Sequence, residues 1–335
     1  MPLPGPRGGA GPTSRATRGL ALALGLALWA APSLADPKVL ALAFQALGSE
    51  GEIRTVVRDL APGVDPASRA SGLDAGLAAI RDFEAQLARV PPGDGAAHPL
   101  DDRMLALLER AQSACFWSEG ILAPFGRGPA LPAKGPQPEG PAACFRAAID
   151  RKKGTATLAP GAVLDLRELA VGYAVDLAIE AMRAGAPGAT DAPPPPDNGW
   201  VRLGPVQRSF GVDLKPRVGR WVEPPAPIRR LDPEFRGFYL TDRALAVAAS
   251  TDEPPHLDQR TGSAPTAAII VLAATELAVD AQLLSATLLI TGSRAGELRL
   301  GSIRPNPSVL WVYGSGNGPP LYIEHGWSAL QRRAP

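Results

Sequence analysis

The sequence has few cysteines and histidines, the residues that bind zinc or cross-link a chain. Its 335 residues include two cysteines and three histidines. The cysteines, Cys115 and Cys144, are separated by 28 residues, and the nearest histidine is His98. Because zinc sites place their cysteine and histidine ligands a few residues apart, this spacing argues against a zinc site. The two cysteines are either a disulfide of an oxidising compartment or two small buried hydrophobic residues.

The sequence also lacks an excess of charge of either sign. It has 34 Lys and Arg residues and 33 Asp and Glu residues, which leaves a formal net charge of +1. Proteins that bind nucleic acid or an anionic membrane usually carry a basic surplus, so no nucleic-acid partner is predicted. Neither a G-x-G-x-x-G segment after a strand nor a P-loop is present, which removes the two common nucleotide-binding motifs.

The apolar run near the N-terminus is short. Leu20–Ala31 has 12 residues, too few to cross a bilayer. Arginines without an acidic residue precede it, and Ser33 and Ala35 place small residues where a signal peptidase reads them. This pattern predicts that residues 1–35 are a cleaved signal peptide. It also predicts a periplasmic protein that starts at Asp36 and has no transmembrane span.

The hydrophobic pattern of residues 36–335 predicts one domain of the α+β class. Amphipathic helices are predicted over Ser68–Val90 and Asp101–Ser113, and an apolar helix over Leu277–Thr291. Short strands, of which Ala267–Ala273 is the clearest, are interspersed with the helices without regular βαβ alternation. The predicted surface loops are rich in proline and lie near residues 126–141 and 192–198.

The stretch Leu164–Asp176, LDLRELAVGYAVD, begins like a short buried strand and continues like a helix. Small residues recur at Ala170 and Ala174 and allow another backbone or a flat ligand to approach closely. A glycine inside a helix, here Gly172, costs about 1 kcal/mol relative to alanine. The glycine therefore indicates either close packing of another element or contact with a ligand.

A second stretch, AVAASTDEPPHLDQRTG, covers Ala246–Gly262. An apolar strand ends there in a loop with hydroxyl and charged side chains, a common position for functional residues. Arg260 could bind a phosphate, and His256 could accept a proton near neutral pH. The alternative is a turn that Asp258 caps, with His256 exposed.

A third stretch, AATELAVDAQLLSATLLITG, covers Ala273–Gly292 and is an apolar helix with one internal carboxylate. A carboxylate on a buried face is costly unless it is paired or binds a metal. Asp280 could hold Mg²⁺ together with a nearby hydroxyl such as Ser285. Otherwise Asp280 pairs with an arginine such as Arg260.

Together, the three stretches resemble the FAD:protein FMN transferase family, known as ApbE. Its members carry a D-L-G-G-I-A-K-G-Y-A-V-D block, an A-T-S-G segment followed by H-x-x-D-P-R-T-G, and an A-D-A-L-A-T-A helix that ends in glycine. The segments Phe44–Val57 and Trp200–Gly211 resemble the family's M-G-T and L-G-G segments. The order of the matches is that of the family, and they cover most of residues 36–335.

The resemblance implies an ApbE-like (T-fold-like) α+β domain with a ligand cleft between its two halves. FAD is the substrate, and Mg²⁺ bridges its pyrophosphate. A Ser or Thr hydroxyl of an acceptor flavoprotein, part of a respiratory or redox complex, attacks the phosphorus on the FMN side, and AMP leaves. The implied catalytic residues are His256, Asp258 and Arg260, and the implied metal ligands are Ala170, Asp280 and Ser285. The implied cofactor-binding residues are Gly48, Ala170, Gly172, Tyr173, Gly204, Ser250, Thr251 and Thr261.

Several positions depart from the family pattern. Arg167 and Glu168 stand in place of its twin glycines, and Val171 in place of its lysine. The family threonine lies four positions after the aspartate of the last helix, whereas Ser285 lies five positions after Asp280, so a one-residue bulge is needed to bring the two together. Two functions are therefore considered: an active flavin transferase with a remodelled site, and a weakened member that serves as a flavin-binding or scaffold protein.

Overall fold

In the computed structural model, the described residues form a sheet of eight strands, a sheet of three, a pair of short strands and four helices. The helices are α1 (Pro66–Leu87), α2 (Asp102–Trp117), α3 (Arg167–Ala184) and α4 (Ala278–Leu300), and a 3₁₀ segment covers Gly140–Arg146. The strands are β1 (Lys38–Ala46), β2 (Ser49–Val57), β3 (Ala97–Pro99), β4 (Ala147–Asp150), β5 (Thr155–Leu158), β6 (Asn198–Leu203), β7 (Val206–Gly211), β8 (Trp221–Val222), β9 (Phe238–Tyr239), β10 (Ala244–Ala249), β11 (Ile270–Thr275), β12 (Ser308–Tyr313) and β13 (Leu321–His325).

The described residues all belong to one compact unit of the chain, which comprises residues 36–335. The predicted signal peptide and most of the two predicted proline-rich loops lie outside the described residues. Within those residues, no helix is long and apolar enough to span a membrane. The described ranges are 38–57, 66–90, 92–126, 140–185, 196, 198–211, 221–222, 228, 238–240, 242–265, 268–301, 303, 306–314 and 319–327.

The large sheet is antiparallel throughout, in the order β1-β2-β6-β7-β10-β11-β12-β13. Helix α3 packs on β6 and β7, and α4 packs on β10 and β11. Mixed helices and antiparallel strands confirm the predicted α+β class. The tight turn between β1 and β2 contains Leu47 and Gly48, both with positive φ (50° and 70°), a conformation that glycine adopts without steric cost.

Predicted elements differ from the structure at their ends, as two examples show. Residues Leu164–Leu166 do not belong to a strand but form the irregular approach to α3. Helix α4 continues to Leu300 rather than ending near Thr291, because the chain turns at Gly292 (φ 71°) and resumes a helical path. Apolar periodicity marks the middle of an element better than its ends.

Helices α3 and α4 touch at Gly172. A Cβ atom on this glycine would lie 2.5 Å from the carbonyl oxygen of Ala278 and 2.6 Å from the Cα of Val279. The next residue, Tyr173, donates its hydroxyl to the Arg103 carbonyl at 2.9 Å, away from α4. Gly172 and Tyr173 therefore serve helix packing, which was one of the two interpretations of this glycine.

Gly172→Ala is expected to lower the free energy of unfolding by about 1–3 kcal/mol, because the new methyl group would overlap backbone atoms of α4 that cannot move independently. Urea unfolding measures this loss. The control is Gly301→Ala, since a Cβ at Gly301 would meet nothing within 4 Å and the residue has an ordinary φ of −59°. Equal stabilities of the two variants would contradict the close contact.

Asp176, one turn after Gly172, is buried at the N-terminus of α4. Its carboxylate accepts the N–H groups of Ala278 at 2.8 Å and Val279 at 3.0 Å. It also receives Nη1 of Arg208 at 2.6 Å. The first N–H groups of a helix have no partner inside the helix. Asp176 therefore caps α4 from another helix and neutralises a buried arginine.

Cys115 and Cys144 form a disulfide that links α2 to the 3₁₀ segment, with an S–S distance of 2.04 Å. Of the two interpretations of these cysteines, the bonded one is confirmed. Gln112 strengthens the same junction, because its Nε2 donates to the carbonyls of Cys144 at 3.0 Å and Ala147 at 2.9 Å.

Candidate active site

A cleft of about 750 Å³ lies between the β1–β2 turn, the first turns of α3 and α4, and the loop after β10. All five segments that carry the sequence resemblance contribute to its wall. Gly48 comes from the β1–β2 turn, Ala170 from α3, Pro205 from the β6–β7 turn, His256 from the loop after β10, and Ser285 from α4. The cleft has the size of a small-molecule site.

His256 is held between two carboxylates in this cleft. Its Nδ1 lies 2.8 Å from Glu168 Oε1, and its Nε2 lies 2.9 Å from Asp252 Oδ2. The same Asp252 oxygen accepts the backbone N–H of Ala249 at 2.8 Å. The His256 side chain is 14% exposed. The imidazole ring therefore connects the first turn of α3 to the loop after β10.

These contacts set the charge of His256. Burial by itself would lower the pKa of His256, but the hydrogen bonds and charges of Asp252 and Glu168 raise it to about 9. At neutral pH both ring nitrogens then carry protons, and the side chain is a cation. This arrangement does not suit the predicted role of proton acceptor, because neither nitrogen keeps a free lone pair.

His256 predicts a pH dependence of stability. A folded pKa of about 9, above the ordinary 6.5, means that the folded protein binds this proton more tightly than the unfolded chain by about 3 kcal/mol. The stabilisation is complete below about pH 6.5 and is lost as the pH rises through about 9. In urea unfolding, the difference between the wild type and His256→Gln should therefore be about 3 kcal/mol larger at about pH 6 than at about pH 10.

The matched control for this measurement is His98→Gln. His98 also pairs with a carboxylate, Asp94, but it does so at the exposed surface. Solvent screens such pairs, so this variant should change the free energy of unfolding little. A pH-independent difference between the wild type and His256→Gln would contradict a doubly bridged imidazolium.

Asp258 and Arg260, the other predicted catalytic residues, close a turn on themselves. Arg260 donates its backbone N–H to Asp258 Oδ1 at 2.9 Å and its Nη2 to Oδ2 at 2.7 Å. Although burial acts to raise it, the hydrogen bonds from Arg260 hold the pKa of the Asp258 carboxyl below its ordinary value. Thr261 is exposed, and its hydroxyl accepts the Ser263 N–H at 3.2 Å. The structure places Asp258, Arg260 and Thr261 in a capped turn and not on the cleft wall.

Three more predicted cofactor-binding residues lie near the cleft without lining it. Ser250 and Thr251 are exposed at the end of β10, and Ser250 donates its N–H to the Ile269 carbonyl at 2.8 Å. Gly204 has a φ of 54° in the β6–β7 turn, where a Cβ would lie 3.0 Å from the hydroxyl of Ser49. Gly204 thus lets two turns approach each other at the cleft edge.

Asp280 faces away from the cleft. Arg110 donates Nε to its Oδ1 at 3.0 Å and Nη2 to its Oδ2 at 2.5 Å. The pair lies in the wall of a second cavity of about 610 Å³ between α2 and α4. Burial raises the pKa of the Asp280 carboxyl, and Arg110 opposes that rise. Asp280 is therefore paired with an arginine, but this arginine is Arg110 and not Arg260.

The three implied magnesium ligands do not come together. Ala170 and Ser285 line the cleft, whereas Asp280 belongs to the second cavity. Ser285 lies five positions after Asp280, about 140° around a regular helix, and the non-helical backbone within α4 is at Gly292, too late to change that angle. In the described ranges, no group of three or more His, Cys, Asp or Glu residues is suited to a metal ion. The donor set does not fit Mg²⁺.

The cleft residues that were not predicted as site residues include Glu168, Asp252 and Gln282. Gln282 accepts the Gly172 N–H at 2.7 Å and donates to the Arg167 carbonyl at 2.8 Å. A polar amide inside an apolar helix is a signal that could have marked Gln282, since buried amides need partners. The link from His256 to Glu168 spans 88 positions and has no local signal.

The chain resembles known proteins in its three-dimensional structure, whereas comparisons of its sequence found no match. No protein-family model matches the sequence, and no curated protein matches it. The chain is similar to the crystal structure of the flavinyl transferase ApbE of Pseudomonas stutzeri in its apo form, with a TM-score of 0.64 and 17% identity over 88% of this chain and 97% of that one. It is also similar to the flavin transferase ApbE of Vibrio cholerae, with a TM-score of 0.65 and 18% identity over 88% of this chain and 100% of the other.

The ApbE protein of Thermotoga maritima gives a similar result, with a TM-score of 0.65 and 17% identity over 88% of this chain and 100% of that protein. Identities this low show a shared fold and not a shared activity. The likeness agrees with the predicted α+β class and with an ApbE-like fold. We conclude that this chain has the fold of the ApbE flavin transferases.

Proposed function

We propose that this chain is a flavin transferase that moves FMN from FAD to a serine or threonine hydroxyl of an acceptor flavoprotein. The observation that carries the proposal is the convergence of five separate segments on one cleft, each of which resembles a segment of that family. Structural neighbours with the same fold are flavin transferases. A fold alone does not determine a reaction, so the cleft residues have to supply the argument.

We further propose that the protein works in the periplasm on an acceptor of a respiratory or redox complex. The short apolar run Leu20–Ala31, with small residues before Asp36, supports export. The disulfide between Cys115 and Cys144 supports an oxidising compartment, since such bonds are rare in a reducing cytosol.

The cleft offers both kinds of surface that FAD requires. Apolar side chains, including Leu87, Val90 and Leu164, line one part and suit the flat flavin ring. The first turn of α3 and the cationic His256 line another part and offer positive charge to the pyrophosphate, next to the carboxylates of Glu168, Asp252 and Glu253. These features support FAD as the substrate.

In the proposed step, the hydroxyl oxygen of the acceptor attacks the phosphorus of the FMN half of FAD. A new P–O bond forms, the P–O bond to AMP breaks, and AMP leaves with that electron pair. Glu168 Oε2 and Asp252 Oδ1 have no hydrogen-bond partner among the described residues. One of these two oxygens therefore accepts the hydroxyl proton. His256 holds both carboxylates in place and adds positive charge. Magnesium would neutralise phosphate charge, but no step is assigned to it because the donor set does not fit.

The test uses the chain from Asp36 onward, incubated with FAD and the flavin-accepting domain of a respiratory flavoprotein. Transfer should give a flavin-fluorescent acceptor band in a denaturing gel and a mass increase of one FMN less one water. An acceptor whose target hydroxyl is removed should stay dark. Bound FAD without any transfer would overturn the transferase and favour the flavin-binding scaffold, and absence of FAD binding would overturn both.

A further inference from the structure

The junction between α3 and α4 is joined by the side chain of Gln282. Its Oε1 accepts the N–H of Gly172 at 2.7 Å, and its Nε2 donates to the carbonyl of Arg167 at 2.8 Å. The side chain is buried and reaches the cleft wall beside Ala170. In the family that the chain resembles, a metal ion joins these same two elements. Here a neutral amide spans them.

We propose that Gln282 replaces the metal ion as the link between α3 and α4, so that this chain binds FAD equally well with and without Mg²⁺. The inference rests on the proposed function, since it concerns the same cleft. Gln282 acts as a positioning residue: it holds the first turn of α3, and with it Ala170 and Glu168, against α4.

The partners of Gln282 suit an amide and not a cation. One partner is a donor, the Gly172 N–H, and the other is an acceptor, the Arg167 carbonyl. An amide offers one acceptor and two N–H donors and satisfies both. A metal ion accepts lone pairs only, so an N–H group aimed at its position would repel it. The hydrogen-bond pattern therefore excludes a simple exchange of Gln282 for an ion.

The ligands that a metal would need are committed to other partners. Asp280, the one carboxylate in the first four turns of α4, makes a two-point contact with Arg110 on the far side of the helix. Turning it toward the cleft would leave a half-buried guanidinium without its partner, which is costly. The Ser285 hydroxyl donates to the Gln282 carbonyl at 3.0 Å. A metal would have to break contacts that the fold already satisfies.

FAD titrations followed by flavin fluorescence test the inference. The full chain from Asp36 is titrated once in excess EDTA and once in Mg²⁺ at about 5 mM, well above ordinary weak-site affinities. We expect FAD affinities that agree within about threefold. A larger gain in Mg²⁺ would overturn the inference. It would leave the proposed function standing, because FAD would still bind.

If FAD binds under neither condition, the proposed function fails and the metal inference is decided separately. Mn²⁺ is then titrated into the ligand-free chain and followed by its electron paramagnetic resonance signal. Saturable binding tighter than about 1 mM that Asp280→Asn abolishes would overturn the inference. Absence of such binding, or binding that Asp280→Asn leaves intact, would support it by showing that Asp280, the one carboxylate in the first four turns of α4, holds no ion.

Variants separate positioning from general stability. Gln282→Leu should weaken FAD binding about tenfold in EDTA, and Mg²⁺ should not restore it. Gln112→Leu is the matched control, because the Gln112 amide also bonds two backbone groups, here the carbonyls of Cys144 and Ala147, but lies outside the cleft. It should lower stability and leave FAD affinity unchanged. Equal losses of affinity in the two variants, or rescue of Gln282→Leu by Mg²⁺, would contradict the positioning role.

Discussion

Replacing His256 with glutamine is expected to lower flavin transfer about a hundredfold, the usual cost of removing one fixed electrostatic contact from an active site. Without the imidazolium, the carboxylates of Glu168 and Asp252 face each other across the cleft, and Glu253 lies in the same wall. The guanidinium of Arg167 does not compensate, because Asp165 already binds it at 2.6 Å. The cleft would then lose the positive charge that His256 offers to the pyrophosphate of the proposed substrate FAD, and both carboxylates would lose their fixed positions.

Transfer rates measured at saturating acceptor with varied FAD test this expectation. His98→Gln should retain wild-type transfer, since His98 lies outside the cleft. Glu168→Gln removes one of the two carboxylates that raise the pKa of His256, so its activity should fall at a lower pH than that of the wild type. Wild-type transfer in His256→Gln would refute the role assigned to the imidazolium.

Asp176→Ala is expected to lower the free energy of unfolding by about 3–5 kcal/mol, because it leaves a buried charge without its partner. The Arg208 side chain is 9% exposed and loses its carboxylate. At the same time, the N–H groups of Ala278 and Val279 lose their acceptor at the start of α4. Each of these unsatisfied groups adds to the cost.

Urea unfolding checks this prediction with two companion variants. Glu180→Ala changes an exposed carboxylate one turn further along α3 and should have little effect. Asp176→Ala combined with Arg208→Met removes the stranded charge and should recover part of the loss. A single Asp176→Ala variant as stable as Glu180→Ala would contradict the assigned role of Asp176 as the cap of α4.

The best-matched residues pack helices together, which is one of the two interpretations that the sequence left open for this stretch. The run from Gly172 to Asp176 resembles a flavin-family block, yet its glycine, tyrosine and aspartate hold α3 against its neighbours. A helix that approaches another backbone closely needs a glycine, and a helix start needs an acceptor. The sequence pattern is therefore evidence for the architecture around the cleft. Within Leu164–Asp176, the residues that line the cleft come before this run.

The periodicity of apolar residues determined the main helices, and the order of the five segments determined the fold and their meeting at one cleft. Local pattern suffices for the helices, because it depends on neighbours three or four positions apart. The fold and its cleft are what the resemblance of the five segments to the ApbE family implies. Only the tertiary structure decided that Asp280 contacts Arg110, 170 positions away, and that Glu168, 88 positions away, acts with Asp252 to keep His256 protonated. Helical phase sets the direction of a side chain, but the partner that it meets there comes from another part of the chain, and that partner decides its charge and its chemistry.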